Sequence, residues 1–85
     1  MARYSLQFKR LVIKDLRSLP KKDIQRILKR IKPLAENPRP IGCEKLVARE
    51  IYRIRQGRCR ILYEILDDVL VVLVITVGSR DAVYR

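Results

Sequence analysis

The chain has 85 residues, enough for one domain with one small hydrophobic core, and 48% of them are hydrophobic. Its 20 lysines and arginines against 9 acidic residues give a formal net charge of +11. A charge of that size indicates an anionic partner, such as nucleic acid, a ribosome, an anionic membrane surface or an acidic protein. Basic residues interrupt the first apolar stretch, so no secretion signal is predicted, and we expect a single cytoplasmic domain over residues 1–85.

The residue types that are missing exclude several kinds of catalysis. The sequence has no histidine, which rules out Ser-His-Asp and Cys-His pairs and the H-E-x-x-H zinc motif. Its three glycines are isolated from one another, so there is no glycine-rich phosphate loop. Cys43 and Cys59 lack the spacing of a metal site and are expected to be free thiols, although a single disulfide is compatible with the sequence. We expect no metal and no other cofactor.

The first part of the chain predicts one strand and two helices. Alternation of apolar and polar residues over 3–8 predicts a short strand. A helix is expected from about Lys9, and Ser18-Leu19-Pro20 ends it and starts a second helix with Pro20 in its first turn. Pro33 then kinks this second helix or ends it early. The apolar residues at helical spacing are Leu11, Val12, Leu16 and Leu19 in the first helix and Ile24, Ile27, Leu28, Ile31 and Leu34 in the second.

The other face of the second helix is basic. Such a basic face often has no function beyond contact with solvent. Here we give that interpretation the same weight as a role in docking on an RNA-rich surface. The residues that we predict to bind RNA are Lys22, Arg26, Lys29 and Arg30 on this helix, with Lys45 and Arg58 further along the chain.

A β-hairpin is predicted around Gln56-Gly57, because apolar and basic residues alternate on both sides of a glycine-containing loop. With these two residues as the loop, Arg55 faces Arg58 and Arg53 faces Arg60. Side chains alternate across a strand, so all four arginines share one face. The residues predicted for the opposite face are Tyr52, Ile54, Cys59 and Ile61.

Like charges placed directly opposite one another destabilise a pair of strands. A fold that accepts this arrangement is expected to use it, because the planar donors of arginine match the oxygens of a polyanion such as RNA. The alternative is a solvated face with no task. We favour the first interpretation, because a merely solvated face usually mixes charges of both signs.

A third hairpin strand follows a turn at Asp67-Asp68, which we interpret as turn residues and not as a metal site. With those residues as the loop, Tyr63 faces Val72 and Ile61 faces Val74. The valine-rich run from Val69 to Val77 forms this third strand. It is too short to span a bilayer and is expected to be a strand buried on both faces. Together these elements predict an α+β fold, with two N-terminal helices packed on one face of a small, mostly antiparallel four-stranded sheet.

A cluster of cations and tyrosines can cleave RNA without histidine. The substrate carries its own nucleophile, the 2′-hydroxyl, and guanidinium groups stabilise the negative charge that develops on the phosphate. Tyrosine can stack on an unpaired base or transfer a proton.

The order of these segments resembles the RelE branch of the RelE/ParE toxin superfamily over nearly the whole chain. The resemblance implies a compact toxin of a type II toxin–antitoxin pair with a RelE/ParE-like, microbial-ribonuclease-like fold. RelE-like toxins enter the ribosomal A site and cut mRNA there by attack of the 2′-hydroxyl. The segments that carry the resemblance are Lys45-Leu46, the hairpin from Ile51 to Ile65, the run from Leu70 to Arg80, and Val83-Tyr84-Arg85.

The resemblance also implies the catalytic residues. Arg53 and Arg55 match the two basic residues on the first hairpin strand, and Arg60 matches the arginine across the turn. Arg80 matches the arginine after the glycine, and Tyr84 matches the C-terminal tyrosine. In the family these positions activate the hydroxyl, hold the phosphate, stabilise its charge, protonate the leaving oxygen and stack on a base. Arg60 and Arg80 are expected to be exposed, so alanine at either position should reduce cleavage without unfolding the domain.

Three positions depart from the family pattern. Arg53 stands where the base is usually lysine, and arginine does not lose its proton in a useful amount. The 2′-hydroxyl must then be activated by the electrostatic field, by Tyr84 or by a ribosomal group. Ser79 replaces a residue that is often histidine or another basic residue, and Cys59 stands at a frequently aromatic position.

The implied partners are the ribosome with its mRNA and a cognate acidic antitoxin, RelB-like, which would cover the basic face in a hetero-oligomeric complex. No membrane partner is expected. Two alternative functions remain open from the sequence. One is a ParE-like inhibitor of DNA gyrase, which shares the fold without needing a phosphate pocket. The other is an RNA- or ribosome-binding module without catalytic activity.

Overall fold

The computed structural model describes residues 3–46 and 50–79. These residues form two α-helices, one short 3-10 helix and five strands, as an α+β fold. Arg80 and Tyr84 lie outside the described residues. The elements in chain order are β1 (Ser5–Phe8), α1 (Arg10–Arg17), α2 (Lys21–Ile31), the 3-10 helix (Lys32–Ala35), β2 (Glu44–Lys45), β3 (Ile51–Gln56), β4 (Cys59–Leu66) and β5 (Val71–Ser79).

The sheet has five strands in the order β1-β5-β4-β3-β2. The prediction of four strands was wrong, because β2 has only two residues and carries no alternating pattern that the sequence could reveal. β1 runs parallel to β5, and the other three pairings are antiparallel, which confirms a mostly antiparallel sheet.

The boundaries of the helices follow from proline and from a capping hydroxyl. The Ser18 hydroxyl donates to the Asp15 carbonyl over 2.7 Å at the end of α1. Pro20 is the N-cap of α2, one residue before the first turn in which it was predicted. The early end predicted at Pro33 is confirmed, since α2 stops at Ile31 and the chain continues as the 3-10 helix.

The core lies between the helices and one face of the sheet, as predicted. Residues of the helical segments that are at most 1% exposed meet equally buried residues of the three long strands. The sheet contributes the larger share of this core, and its other face is covered by neither helix. The fully buried side chains are Val12, Ile27, Ile31 and Leu34 from the helical segments and Ile54, Ile61, Tyr63, Ile65, Val72, Val74 and Val77 from the sheet.

The β3–β4 turn differs from the prediction by one residue. The loop is Gly57-Arg58, and Gly57 has a φ of +60°, which a type II′ turn requires at its first loop position. Arg55 therefore faces Arg60, and Arg53 faces Leu62, so the predicted partners were wrong. Moving the loop by one residue moves each cross-strand partner by two residues. Side chains alternate with a period of two, so the predicted faces of the strand residues are confirmed.

The β4–β5 connection is longer than predicted. It spans residues 67–70, so Tyr63 faces Val74 and Ile61 faces Val77, and both predicted pairs were wrong. The connection therefore has two residues more than the predicted Asp67-Asp68 loop. Its last residue, Leu70, has a φ of 53°, a left-handed conformation in which the chain completes its reversal. An irregularity of the register at Leu62/Tyr63 also places one extra residue on β5.

The valine-rich strand β5 is buried on the helix side and half-buried on its other side, so burial on both faces is only partly realised. Within the described residues, no helix is both long and apolar enough to cross a membrane.

A network around Arg39 connects three loops that are far apart in sequence. Arg39 donates to Glu50 over 3.2 Å, to Asp67 over 2.9 Å and to the Tyr52 hydroxyl over 3.1 Å. Tyr52 donates to Glu50 over 2.8 Å, and Tyr4 donates to Asp67 over 2.7 Å. These hydrogen bonds lower the pKa of the Asp67 carboxyl, mainly through Arg39, and of the Glu50 carboxyl, mainly through Tyr52.

We expect the Arg39 network to make the free energy of unfolding depend on pH in the acidic range. Both carboxyls have a lower pKa in the folded state than in the unfolded chain, so their contribution is present above about pH 4 and is lost as pH falls through the folded-state pKa. R39Q should flatten the fall in unfolding free energy between pH 6 and pH 3, measured by urea denaturation. R17Q, an exposed change on α1, is the control and should keep the wild-type slope. Equal slopes for R39Q and wild type would contradict this role.

Candidate active site

Three of the predicted catalytic arginines lie on the uncovered face of the sheet. Arg53 and Arg55 project from β3, and Arg60 projects from β4 directly opposite Arg55. Arg58 is in the turn, so it does not belong to this row as the sequence had predicted. We name Arg53, Arg55 and Arg60 the arginine cluster.

The members of the arginine cluster differ in exposure. Arg55 is exposed, whereas the Arg53 side chain is 17% exposed. Arg60 is only 8% exposed, so the expectation that it would be exposed was wrong. Its strand is flanked by β3 on one side and β5 on the other, and Arg60 interacts within the protein. The cluster therefore has a buried base at Arg60 and an accessible edge at Arg55.

Glu44 adds a carboxylate to this cluster. It lies on β2 opposite Arg53, and its Oε2 accepts a hydrogen bond from Arg53 Nη2 over 2.5 Å. Arg53 Nε is buried and has no hydrogen-bond partner among the described residues, which leaves part of the guanidinium uncommitted there. Sequence reasoning missed Glu44, because the two-residue strand that positions it has no recognisable pattern.

The predicted RNA-binding residues lie elsewhere. Lys45 faces Tyr52, on the opposite side of the sheet from Glu44, and its Nζ lies 3.4 Å from Glu50 Oε1. Arg30 is half-buried. The exposed cations of α2 line a shallow depression of about 300 Å³, formed by Lys22, Gln25, Arg26 and Lys29. These cations therefore form a second basic surface on the helix side of the sheet.

The cysteines and acidic residues that the structure describes form no metal site. Cys43 and Cys59 are free thiols, as expected. Burial raises the pKa of the Cys59 thiol, and the nearby Asp23 carboxylate raises it further. Within residues 3–46 and 50–79, no group of three or more histidine, cysteine, aspartate or glutamate side chains could hold a metal ion. What the described site offers is a set of fixed cations with one carboxylate.

Comparison with known proteins defines the class. A model of the ParE toxin family of type II toxin–antitoxin systems, parDE, matches residues 6–84. The isolated E. coli RelE toxin is 28% identical in sequence and has a TM-score of 0.81, covering 95% of this chain and 90% of that chain. In the intact E. coli RelBE toxin–antitoxin complex the identity is 27% and the TM-score 0.81, covering 89% of this chain and 95% of that chain.

An archaeal relative has the same fold. The RelE–RelB complex from Pyrococcus horikoshii OT3 is 25% identical with a TM-score of 0.79, covering 92% of this chain and 96% of that chain. The chain therefore belongs to the RelE/ParE superfamily of type II toxin–antitoxin toxins. Within this superfamily it is a RelE-like toxin, as its structural neighbours show.

The facing arginines should reduce the stability of the free protein. R55A removes one of two like charges on directly opposed strand positions, so we expect unfolding free energy to rise by about 0.5 kcal/mol at low ionic strength. The gain should shrink in high salt, which screens an exposed charge. Urea denaturation in 20 mM and 500 mM NaCl measures both effects. R58A, in the adjacent turn, should change stability less, and a loss of stability in R55A would show that Arg55 has a structural role instead.

Proposed function

We propose that this protein is a ribosome-dependent endoribonuclease that cuts mRNA in the ribosomal A site and thereby inhibits translation. The observation that carries the proposal is the arginine cluster, in which Arg55 and Arg60 face each other on the uncovered face of the sheet. Like charges on directly opposed strand positions repel each other. A phosphate placed between the strands would convert this repulsion into attraction. Membership in a toxin superfamily with RelE structural neighbours supports the same function.

The proposed reaction uses the RNA's own nucleophile. The 2′-oxygen loses its proton and attacks the adjacent phosphorus, and the bond from phosphorus to the 5′-oxygen breaks. The products are a 2′,3′-cyclic phosphate and a 5′-hydroxyl. Arg55 and Arg60 stabilise the charge that gathers on the phosphoryl oxygens, and they act as fixed cations that need no titration. No metal or cofactor enters this reaction.

The proton transfers need two groups that arginine cannot replace. We assign the base to Glu44, because it contacts Arg53 at the position where related toxins carry lysine. In the free protein Arg53 holds this carboxylate in place. When the guanidinium also binds a phosphate oxygen, its pull on Glu44 weakens and the carboxylate can accept the 2′-hydroxyl proton. Following the family pattern, Arg80 and Tyr84 complete the site, with Tyr84 donating a proton to the leaving 5′-oxygen or stacking on a base.

The partners follow from the same chemistry. A RelB-like antitoxin of acidic character would neutralise the basic surface, and the E. coli and Pyrococcus neighbours were crystallised as toxin–antitoxin complexes. The cytoplasm, where ribosomes and mRNA occur, is the corresponding location.

Inhibition of DNA gyrase is the second candidate function, because the matching family model carries the ParE name. The arginine cluster favours RNA cleavage, since an inhibitor that acts by protein contact has no need of cations that face each other across two strands. A supercoiling assay with purified gyrase separates the two functions.

Mapping of new 5′ ends tests the proposed function. The purified protein is added to ribosomes programmed with a defined mRNA, with the same mRNA free in solution as the control. We expect cuts within the A-site codon, only on ribosomes, and no cut where the attacking nucleotide carries a 2′-deoxyribose. Ribosome binding without cuts would indicate a non-catalytic translation blocker, and the absence of binding would favour gyrase.

The role of Glu44 predicts a specific loss of rate. E44Q keeps the size of the side chain but cannot accept a proton, so single-turnover cleavage should fall by roughly a hundredfold or more. E36Q, an exposed change at the end of the 3-10 helix, is the matched control and should cleave like wild type. Faster cleavage by E44Q would mean that Glu44 only restrains Arg53 in the free protein.

A further inference from the structure

A cavity at the end of the β3–β4 hairpin is not used by the proposed reaction. It has a volume of about 230 Å³ and lies between the hairpin turn and α2. Its apolar floor is made by Ile27, which is 1% exposed, and Cys59, which is 8% exposed. Ligand pockets commonly combine such an apolar floor with a few polar groups that fix the orientation of the ligand.

Four polar side chains line the cavity. Asp23 and Arg26 approach from α2, while Gln56 and Arg58 approach from the hairpin. Within the part of the chain that the structure describes, these four side chains have no hydrogen bond or ion pair. They supply a carboxylate, an amide and two guanidinium groups around one small volume.

This combination matches a nucleotide better than a free anion or an acidic peptide. The Asp23 carboxylate repels negative charge inside the cavity but accepts hydrogen bonds from the amino and imino groups of a base. The Gln56 amide can both donate to and accept from a base edge, as in specific recognition of unpaired RNA. The two arginines are exposed and can hold the phosphate outside or stack on the base. The volume, below the usual range of about 300 to 1,000 Å³ for drug-sized ligands, suits one base.

The surroundings of the cavity give the RNA a route. Arg26 also lines the shallow depression on α2, so the cavity adjoins the basic surface of that helix. Gln56 and Cys59 face each other one position beyond the facing pair of Arg55 and Arg60. Because side chains alternate, the cavity opens on the helix side of the hairpin end and the arginine cluster on its other side.

We propose that this cavity binds one unstacked nucleotide of a single-stranded RNA segment, with the base on Ile27 and Cys59 and its edge read by Gln56 and Asp23. The proposal rests on RNA being the substrate, as the proposed function states. It adds a site of base recognition that is separate from the cleavage site. The nucleotide belongs either to the mRNA beside the cut or to ribosomal RNA.

Binding can be tested without cleavage. The purified protein is titrated with a 2′-O-methyl RNA hexamer, which lacks the nucleophile, and with a hexamer of the same backbone that has no bases. Gln56 is neutral, so Q56A leaves the electrostatic attraction unchanged. We expect Q56A to weaken binding of the hexamer with bases by roughly three- to tenfold, the value of one or two net hydrogen bonds, and to leave binding of the abasic hexamer unchanged.

The matched control is Q25A, which removes the same side chain from the neighbouring depression on α2 and should change neither affinity by more than about twofold. In NMR spectra of ¹⁵N-labelled protein, the side-chain amide of Gln56 should shift on addition of the hexamer with bases. An unmoved Gln56 amide at saturation, or equal weakening of both hexamers in Q56A, would overturn the proposal. D23N, expected to weaken the hexamer with bases selectively, repeats the test if Q56A does not fold.

The source of the nucleotide is tested on ribosomes. A photoactivatable benzophenone side chain at position 58, in the lining of the cavity, should crosslink to mRNA or to ribosomal RNA. Either result supports the proposal and identifies the source. Crosslinks to ribosomal proteins alone would overturn it. Base-dependent hexamer binding in a protein that makes no cuts on ribosomes would refute the cleavage function and leave the cavity assignment intact. Cuts on ribosomes by the wild-type protein, together with normal hexamer binding by Q56A, would support the cleavage function and refute the cavity assignment.

Discussion

The register of the β3–β4 hairpin is the constraint on which the candidate site depends. A two-residue loop with a left-handed first residue fits the twist of the strands, and Gly57, with a φ of +60°, fills that position. This turn places Arg55 opposite Arg60 and Gln56 opposite Cys59. A different register would separate the facing guanidinium groups and alter the cavity beside them. One glycine thus fixes the geometry of both the arginine cluster and the cavity.

The two faces of the sheet have opposite character, because positive charge collects on one face and apolar side chains on the other. The helix side of the same three strands buries a continuous apolar layer, including Ile54, Ile61 and Val74, each fully buried. Tyr52 and Tyr63 stack within this layer at 5.9 Å between ring centroids, and the Tyr63 hydroxyl donates to the Pro38 carbonyl over 2.7 Å. The sheet can therefore have one face for stability and the other for binding.

Basic residues with different environments have different uses in this protein. Arg39 is fully engaged, with two carboxylates, a hydroxyl and the face of the Tyr52 ring at 5.5 Å, and it ties the loops together. Arg53 is only partly engaged, since Glu44 binds one side of its guanidinium and Nε finds no partner in residues 3–46 and 50–79. A net charge of +11 would by itself suggest general attraction to RNA. The differences among the arginines show which of them hold the fold and which can hold a phosphate.

The sequence by itself determined the class of fold, the two helices, the faces of the hairpin strands and the resemblance to RelE-like toxins. These features depend on local periodicity and on the order of segments, which can be read without knowing any contact. Hairpin partners could not be predicted reliably, because moving a two-residue loop by one position preserves the faces and changes every pair. Only the tertiary structure buried Arg60 and placed Asp23 and Gln56 around one cavity. Only it brought Glu44 to Arg53 and Arg39 to Asp67. Each of these contacts joins residues that no local pattern connects, so the packed chain had to decide them.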